Sequence, residues 1–257
     1  MKQMINKILG NFDIKIARKS SYERAISWRE KYGIHGLVEL IDEVHFPLFF
    51  EALRGSKAQL GQDMFVLSQL GFKREGFFVE FGATNGIDLS NSYLLEKKFG
   101  WKGVLAEPGK KWHSDLDANR EAHIEHNCVW KNTGEKLIFN EVDNGELSTI
   151  DLFSGSDGHK NARMTGSKYE VSTISLNDLL DKYNAPKEID YLSIDTEGSE
   201  FEILSTFDFS KHKFKIITCE HNFTLKRKNI YSLLTKNGYE RKYTDLSAFD
   251  DWYVLED

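Results

Sequence analysis

The run Phe77-Phe78-Val79-Glu80-Phe81-Gly82-Ala83-Thr84-Asn85-Gly86-Ile87-Asp88 constrains the fold of this chain more than any other stretch. Phe77 to Phe81 reads as a short buried strand, a glycine-containing turn follows, and Ser90 to Phe99 reads as a helix. A strand, a glycine turn and a helix start together build a nucleotide-binding edge. Gly82 and Gly86 let the backbone approach a ligand, and the first helical turn offers free N–H groups. Glu80 is the odd residue, because a carboxylate inside an apolar strand is costly without a partner. A cationic ligand just past the strand end would supply one. The spacing is Gly-x-x-x-Gly, so the dinucleotide fingerprint Gly-x-Gly-x-x-Gly is not met.

The stretch Trp101-Lys102-Gly103-Val104-Leu105-Ala106-Glu107-Pro108 continues the unit. Gly100 is placed to close the helix as a left-handed cap. Val104 to Ala106 form the next strand, which ends in Glu107. An acidic residue at that strand end, about 20 residues past the turn, suits the two hydroxyls of a ribose. Alone, Glu107 reads equally as a solvated strand end. With Glu80 and the two glycines upstream, a cofactor crevice is the reading that joins them.

Five motifs follow one another: Gly61-Gln62-Asp63, Glu80-Phe81-Gly82-Ala83, Ser90-Asn91-Ser92-Tyr93, Ala106-Glu107-Pro108, and Ile189-Asp190-Tyr191-Leu192-Ser193-Ile194-Asp195-Thr196-Glu197-Gly198-Ser199-Glu200. In this order they resemble the FkbM family of S-adenosylmethionine-dependent methyltransferases, from Ser56 to Phe223. The resemblance implies an α/β class I methyltransferase fold, a Rossmann-like, doubly wound seven-stranded sheet with its last strand antiparallel. It implies S-adenosylmethionine as methyl donor and O-methylation of a sugar, glycan or glycosylated metabolite. It also implies that Gln59-Leu60-Gly61-Gln62-Asp63, ahead of the first strand, lies near the cofactor. The donor-binding set carried over is Gln62, Glu80, Phe81, Gly82, Ala83, Gly86, Asn91, Ser92, Glu107, Pro108 and Asp195.

Composition narrows the classes. The chain is long enough for one large domain, 76–257, behind an N-terminal helical extension over 1–75. Its 40% hydrophobic content belongs to a packed core rather than a disordered chain. A net charge of −6 argues against duplex nucleic acid as the main partner. No apolar run approaches the ~20 residues of a membrane span. Cys128 and Cys219 fall in predicted strands and read as reduced core thiols, so a cytoplasmic setting is expected. No secretory signal is visible at the N-terminus. Residues 1–19 place Met4, Ile5, Ile8 and Leu9 among Lys2, Lys7, Lys15, Arg18 and Lys19. That pattern suits a short packed helix or a weak peripheral membrane contact.

Further along, Ser20-x-x-Glu23 is a capping box, Ile34 to Phe50 is apolar with a break expected at Pro47, and Ser56 opens a helix running to Leu70. Gly109 to Asn119 reads as a helix and Ile124 to Trp130 as the third strand, where Asn127 and Cys128 would face an adenine by position. Glu141 to Lys168 is rich in turn formers and reads as a long acceptor-shaping loop, with a short strand in 147–152. Strands are expected at Leu137 to Asn140, Tyr169 to Ile174, Asp190 to Ile194, Phe214 to Cys219, Tyr239 to Tyr243 and Trp252 to Leu255. Ser199-x-x-Glu202 reads as another capping box.

In open α/β sheets ligands bind beyond the carboxyl ends of the strands, so Asp195 should share a crevice with Glu80 and Glu107. Methyl transfer to a hydroxyl needs a base or a bound cation. The expected catalytic residues are Asp195, Glu197, Glu220 and His221, and a divalent cation such as Mg, if used, would sit on Asp195, Glu220 and His221. Two other readings stand beside this one: an NAD(P)-dependent oxidoreductase, and a non-catalytic glycan-binding module on the same fold. A base-modifying methyltransferase is disfavoured, since no two of Pro47, Pro108 and Pro186 are adjacent and the Pro-Pro motif cannot form.

Overall fold

A computed structural model describes residues 41–256 together with Val38. The basic segment 1–19, the Ser20 capping box and the first residues of the expected 34–50 helix lie outside the described residues. The described chain opens with α1 (Phe46–Leu53) and α2 (Gln62–Gln69). Pro47 starts α1 instead of breaking it, since proline's fixed φ and missing N–H cost nothing in a first turn. Ser56 does not begin α2. Gly61, at φ +77°, turns the chain into the helix one residue before Gln62.

The main sheet is built from β1 (Phe77–Phe81), β2 (Lys102–Ala106), β3 (His123–Glu125), β8 (Glu188–Ile194), β9 (Lys213–Glu220), β10 (Tyr239–Lys242) and β11 (Asp250–Leu255). Its order is β3-β2-β1-β8-β9-β11-β10. The first five strands run parallel, and β11 runs antiparallel to both β9 and β10. This is the seven-stranded class I methyltransferase sheet expected from the sequence. Both faces are covered, as a parallel sheet requires. Val79 and Phe81 join one core with Leu192, Ile217 and Leu234, while Phe78 joins the other with Met64, Phe65, Leu95, Tyr191 and Trp252. The period of two along β1 therefore sends alternate residues into two cores. Helices α1 and α2 belong to the second core, where the Phe65 ring stacks on Trp252 with centroids 4.6 Å apart.

Between β3 and β8 the chain builds a second sheet that the sequence reading lacks. It is made of β4 (Cys128–Trp130), β5 (Lys136–Glu141), β6 (Thr149–Ile150) and β7 (Ser167–Ser175), in the order β4-β7-β5-β6. The expected third strand from Ile124 to Trp130 is thus two strands in two sheets. The Glu125 carboxylate accepts from the Asn127 N–H at 2.9 Å and turns the chain there. The expected 141–168 loop holds β6 and three short 3₁₀ turns, and its Ile150 and Phe153 enter a small third core with Cys128, Trp130, Phe139 and Val171.

The remaining helices are α3 (Tyr93–Phe99), α4 (His113–Asn119), α5 (Leu176–Lys182), α6 (Glu200–Ser205) and α7 (Lys226–Lys236). Gly100 closes α3 at φ +71°, with its N–H on the Glu96 carbonyl. The capping box expected at Ser199 does not form. The Ser199 hydroxyl bonds Thr196, and Glu202 pairs with Lys226.

Gly82 is required by the protein's own backbone. At φ +76°, a Cβ there would sit 2.0 Å from the Asp195 carbonyl oxygen. Gly82→Ala should therefore destabilise the domain by at least about 2 kcal/mol, from positive φ and overpacking together. In thermal unfolding that is a drop of about 4–8 °C. An unchanged midpoint would show that the turn relaxes freely.

Candidate active site

Four parallel strands end at one place. Beyond Phe81 of β1 lies Gly82, beyond Ala106 of β2 lie Glu107 and Pro108, beyond Ile194 of β8 lies Asp195, and β9 ends at Glu220. All of these line one cavity of about 310 Å³, a volume in the range of small-molecule sites. The second sheet forms its opposite wall through Cys128, Val129, Phe139 and Ile150. The cavity is thus apolar on one side and acidic on the other.

Glu80 lines the cavity but finds its partners within the chain. Its carboxylate accepts from the Ser90 hydroxyl at 3.0 Å, the Asn91 N–H at 2.7 Å and the Ser92 hydroxyl, and Arg120 stands 3.9 Å away. The partner that a cationic ligand would supply is thus already present within the chain. Arg120 is fully buried and also donates to Glu96, to the Gly86 carbonyl and to Ser90 and Ser92. A Cβ on Gly86 would meet Arg120 and Leu116 at under 3 Å, so this glycine makes room for α4 and its end. Neither Gly86 nor Ser92 nor Ala83 is among the residues lining the cavity, whereas Asn91 is.

Glu107 is 5% exposed and held by two backbone donors, Thr84 N–H at 2.9 Å and Gly109 N–H at 2.7 Å. Each oxygen keeps a further lone pair for a hydroxyl donor. Burial, only partly offset by these bonds, pushes its pKa up to about 7. Cys128 lines the cavity as a buried thiol pushed up to about 12. Asn127 does not reach it. Gln62 is also displaced from the expected role, because its amide bridges the Leu60 N–H and the Asp250 carboxylate, while Gln59 lines the cavity instead.

Carboxylate oxygens of Asp195, Glu197 and Glu220 lie within 4.8 Å of one another. Asp195 is raised to about 8, first by burial and then by the charges of Asp250 and Glu200. Glu220 is raised by burial and by Asp195. Burial and Asp195 also push Glu197 up, and Arg163 opposes them from 2.7 Å.

His221 does not join this cluster. Its Nδ1 accepts from the Phe223 N–H at 2.9 Å, its Nε2 meets the Asp250 carbonyl at 3.1 Å, and burial holds its pKa near 4. A neutral imidazole with both nitrogens engaged is not available as a base or a metal ligand here.

Arg163 is the residue the sequence reading missed. It is 1% exposed in the middle of the polar 141–168 segment. It grips Asp157 with two contacts of 2.9 Å, donates to the Leu147 carbonyl and reaches Glu197. Asn222, at the end of β9, donates to the same Glu197 oxygen at 3.2 Å. The segment is therefore pinned to the crevice by one buried cation.

Several carboxyl groups are neutral in the fold at pH values where an unfolded chain ionises them. Asp63 and Asp250 reach about 7, Glu107 about 7 and Asp195 about 8, against ordinary values of 3.8 for aspartate and 4.5 for glutamate. The folded state then holds more protons than the unfolded one between those limits, so stability falls as pH rises through them. The unfolding midpoint should drop between about pH 5 and pH 8, and Asp195→Asn should flatten that slope. A midpoint that climbs over this interval would contradict the assignment.

No curated protein matches the sequence. Among solved structures, the methyltransferase FkbM of Methylobacillus flagellatus KT is 12% identical, with a TM-score of 0.44 over 82% of this chain and 59% of that one. The precorrin-6y C5,15-methyltransferase of Geobacter metallireducens GS-15 is 13% identical, with a TM-score of 0.38 over 75% and 85%. This chain thus spans 59% of the length of the first. Residues 80–241 match the family described as the methyltransferase FkbM domain, which takes in both walls of the cavity and every strand end around it. On that match, covering well over half of the chain, the protein belongs to the FkbM methyltransferase family.

Proposed function

We propose that the cavity binds S-adenosylmethionine and that the enzyme methylates a hydroxyl of a sugar or of a sugar-bearing molecule. The observation that carries this reading is Glu107, a buried carboxylate fixed by two backbone N–H groups at the end of β2 and open to the cavity. Two adjacent hydroxyls of a ribose are donors matched to it. The apolar wall of Phe81, Ala106, Val129 and Phe139 suits a flat base, and the acidic wall suits a sulfonium or an ammonium group. S-adenosylmethionine, when bound, supplies the electrophilic methyl group. The chain's part is to hold the acceptor oxygen in line with it and to take the hydroxyl proton.

Asp195 and Glu220 are the groups suited to that proton. Both line the cavity, and raised carboxyl pKa values fit a general base working near neutral pH. Asp195, Glu197 and Glu220 would also hold a hard divalent cation such as Mg, which prefers oxygen ligands and would lower the pKa of a bound hydroxyl. His221 leaves this set, and Glu197 enters it.

Calorimetric titration with S-adenosylmethionine, and separately with NADH, tests the donor. Binding of the methyl donor alone is expected. Glu107→Ala should weaken it by about 10-fold or more, the worth of a hydrogen bond to a charged group. Asp195→Asn should cut methyl transfer by about 10²–10⁴, the usual contribution of a positioned base, well beyond any loss of donor binding. Donor binding unaffected by Glu107→Ala would remove the reading.

A further inference from the structure

We infer that the mouth of the cavity docks on an anionic lipid surface. Four side chains there are among the most exposed large apolar groups of the described residues: Leu152 at 76%, Met164 at 80%, Phe223 at 72% and Leu225 at 86%. They come from three separate turns, the 3₁₀ turns Asp151–Phe153 and Ala162–Thr165 and the turn after β9, and each is the chain neighbour of a residue that converges on Glu197 and Gly198. Phe153 carries Leu152, and its ring lies 3.9 Å from the Lys226 ammonium. Lys226 carries Leu225, and donates to the Gly198 carbonyl at 2.8 Å. Arg163 carries Met164 and Asn222 carries Phe223, and both bond Glu197. The three turns are thereby locked together beside the cavity, which His159 and Asn222 line.

Burying these four would each bring the gain of a large apolar side chain, yet nothing in the described chain covers them. They are single protruding side chains on turns, a shape that enters the interfacial layer of a bilayer more readily than it forms a groove. Charge selects the kind of surface. Lys160, between the two 3₁₀ turns, and Lys228, in the first turn of α7, are exposed and have no ion pair among the described residues. The carboxylates of those turns are already neutralised, Asp151 by Lys168 and Asp157 by Arg163. On a protein of net charge −6, the unpaired charges of these segments, among the described residues, are those of the two lysines, since Lys226 pairs with Glu202 and Arg227 with Asp251. Apolar prongs with free lysines beside them match a bilayer containing anionic headgroups.

Co-sedimentation of the full chain with vesicles tests the inference, using phosphatidylcholine alone and phosphatidylcholine mixed with phosphatidylserine. Binding to the mixed vesicles is expected, weakened by salt, with little binding to phosphatidylcholine alone. Leu225→Asp and Met164→Asp should each lower the partition coefficient by about tenfold. Lys160→Glu with Lys228→Glu should do so only on the anionic vesicles. These positions are exposed, so an unchanged thermal midpoint will show that the variants fold. Absence of binding to mixed vesicles would overturn the inference. So would binding that the rim substitutions leave intact, because the contact would then lie elsewhere, such as in residues 1–19.

Discussion

The buried bond set around Glu80 and Arg120 is what the crevice depends on. Glu80 sits at the centre of the sheet, with β2 on one side and β8 on the other. Its carboxylate takes the Ser90 and Ser92 hydroxyls and the Asn91 N–H, and Arg120 at the end of α4 closes the network from beyond. Asn91 in turn donates to Ser193 on β8 at 2.9 Å. One ion pair with its hydroxyls thus links the central strand, the start of α3, the end of α4 and the neighbouring strand. Such a pair contributes little net stability against a well-packed apolar alternative, yet removing one partner strands a buried charge. Its effect is positional. It sets where the turn after β1 runs, and so where Gly82 passes beneath the Asp195 carbonyl.

The same logic continues at the other wall with opposite bookkeeping of charge. Around Asp195 the nearby carboxyls are Glu197, Glu200, Glu220 and Asp250, while the buried cation that reaches the group is Arg163. Glu200 is served by the Thr196 and Gly198 N–H groups and the Thr196 hydroxyl, and Asp250 by the Gln62 amide. Asp195 and Glu220 receive no such N–H or hydroxyl donors among the described residues, hydrogen-bond each other and face the cavity. A crevice arranged this way favours protons or cationic groups at one spot, and Arg163 offsets only part of the Glu197 charge. The second sheet therefore does more than wall the cavity, since the segment between β6 and β7 delivers the buried cation that partly offsets the acidic cluster.

How much of this could be read from the sequence follows from which interactions are local. The β1 turn, Gly100, Glu107 and Asp195 are legible because strand ends, glycine caps and a change from apolar to acidic residues are written in neighbouring positions. The second sheet was not legible, because β4 is three residues long and pairs with β7 some 40 residues later, with Cys128 beside Thr173. Arg163 was hidden for the same reason. An arginine among Gly, Ser, Asn and Asp looks solvated until Asp157 and Glu197 are brought to it. Gly82 and Gly86 stand out in the sequence for a ligand's approach, and Gly82 does line the cavity, while within the chain Asp195 and Arg120 are what come close to them. His221 carried a chemical reading because imidazole at a strand end often does chemistry, and only the tertiary contacts show both nitrogens occupied.

Those contacts also explain why His221 belongs where it is. Non-glycine residues with positive φ gather around the cavity: Thr84 at 46°, Glu197 at 58°, Asn222 at 42° and Phe223 at 56°. Such conformations cost about 1–2 kcal/mol each and persist only where surrounding bonds over-determine them. Here each is held by a bond that also fixes a residue of the crevice. Thr84 donates its N–H to Glu107, Glu197 is gripped by Arg163, and Asn222 by way of its amide holds Glu197 in turn. Phe223 donates its N–H to His221 Nδ1, which requires that nitrogen to be unprotonated and places the ring hydrogen on Nε2, toward the Asp250 carbonyl. A histidine held neutral by burial satisfies both demands; a charged one would bring a hydrogen against the Phe223 N–H. The depressed pKa of His221 is therefore part of how the turn after β9 is kept in place, with Asn222 aimed at Glu197 and Phe223 at the solvent.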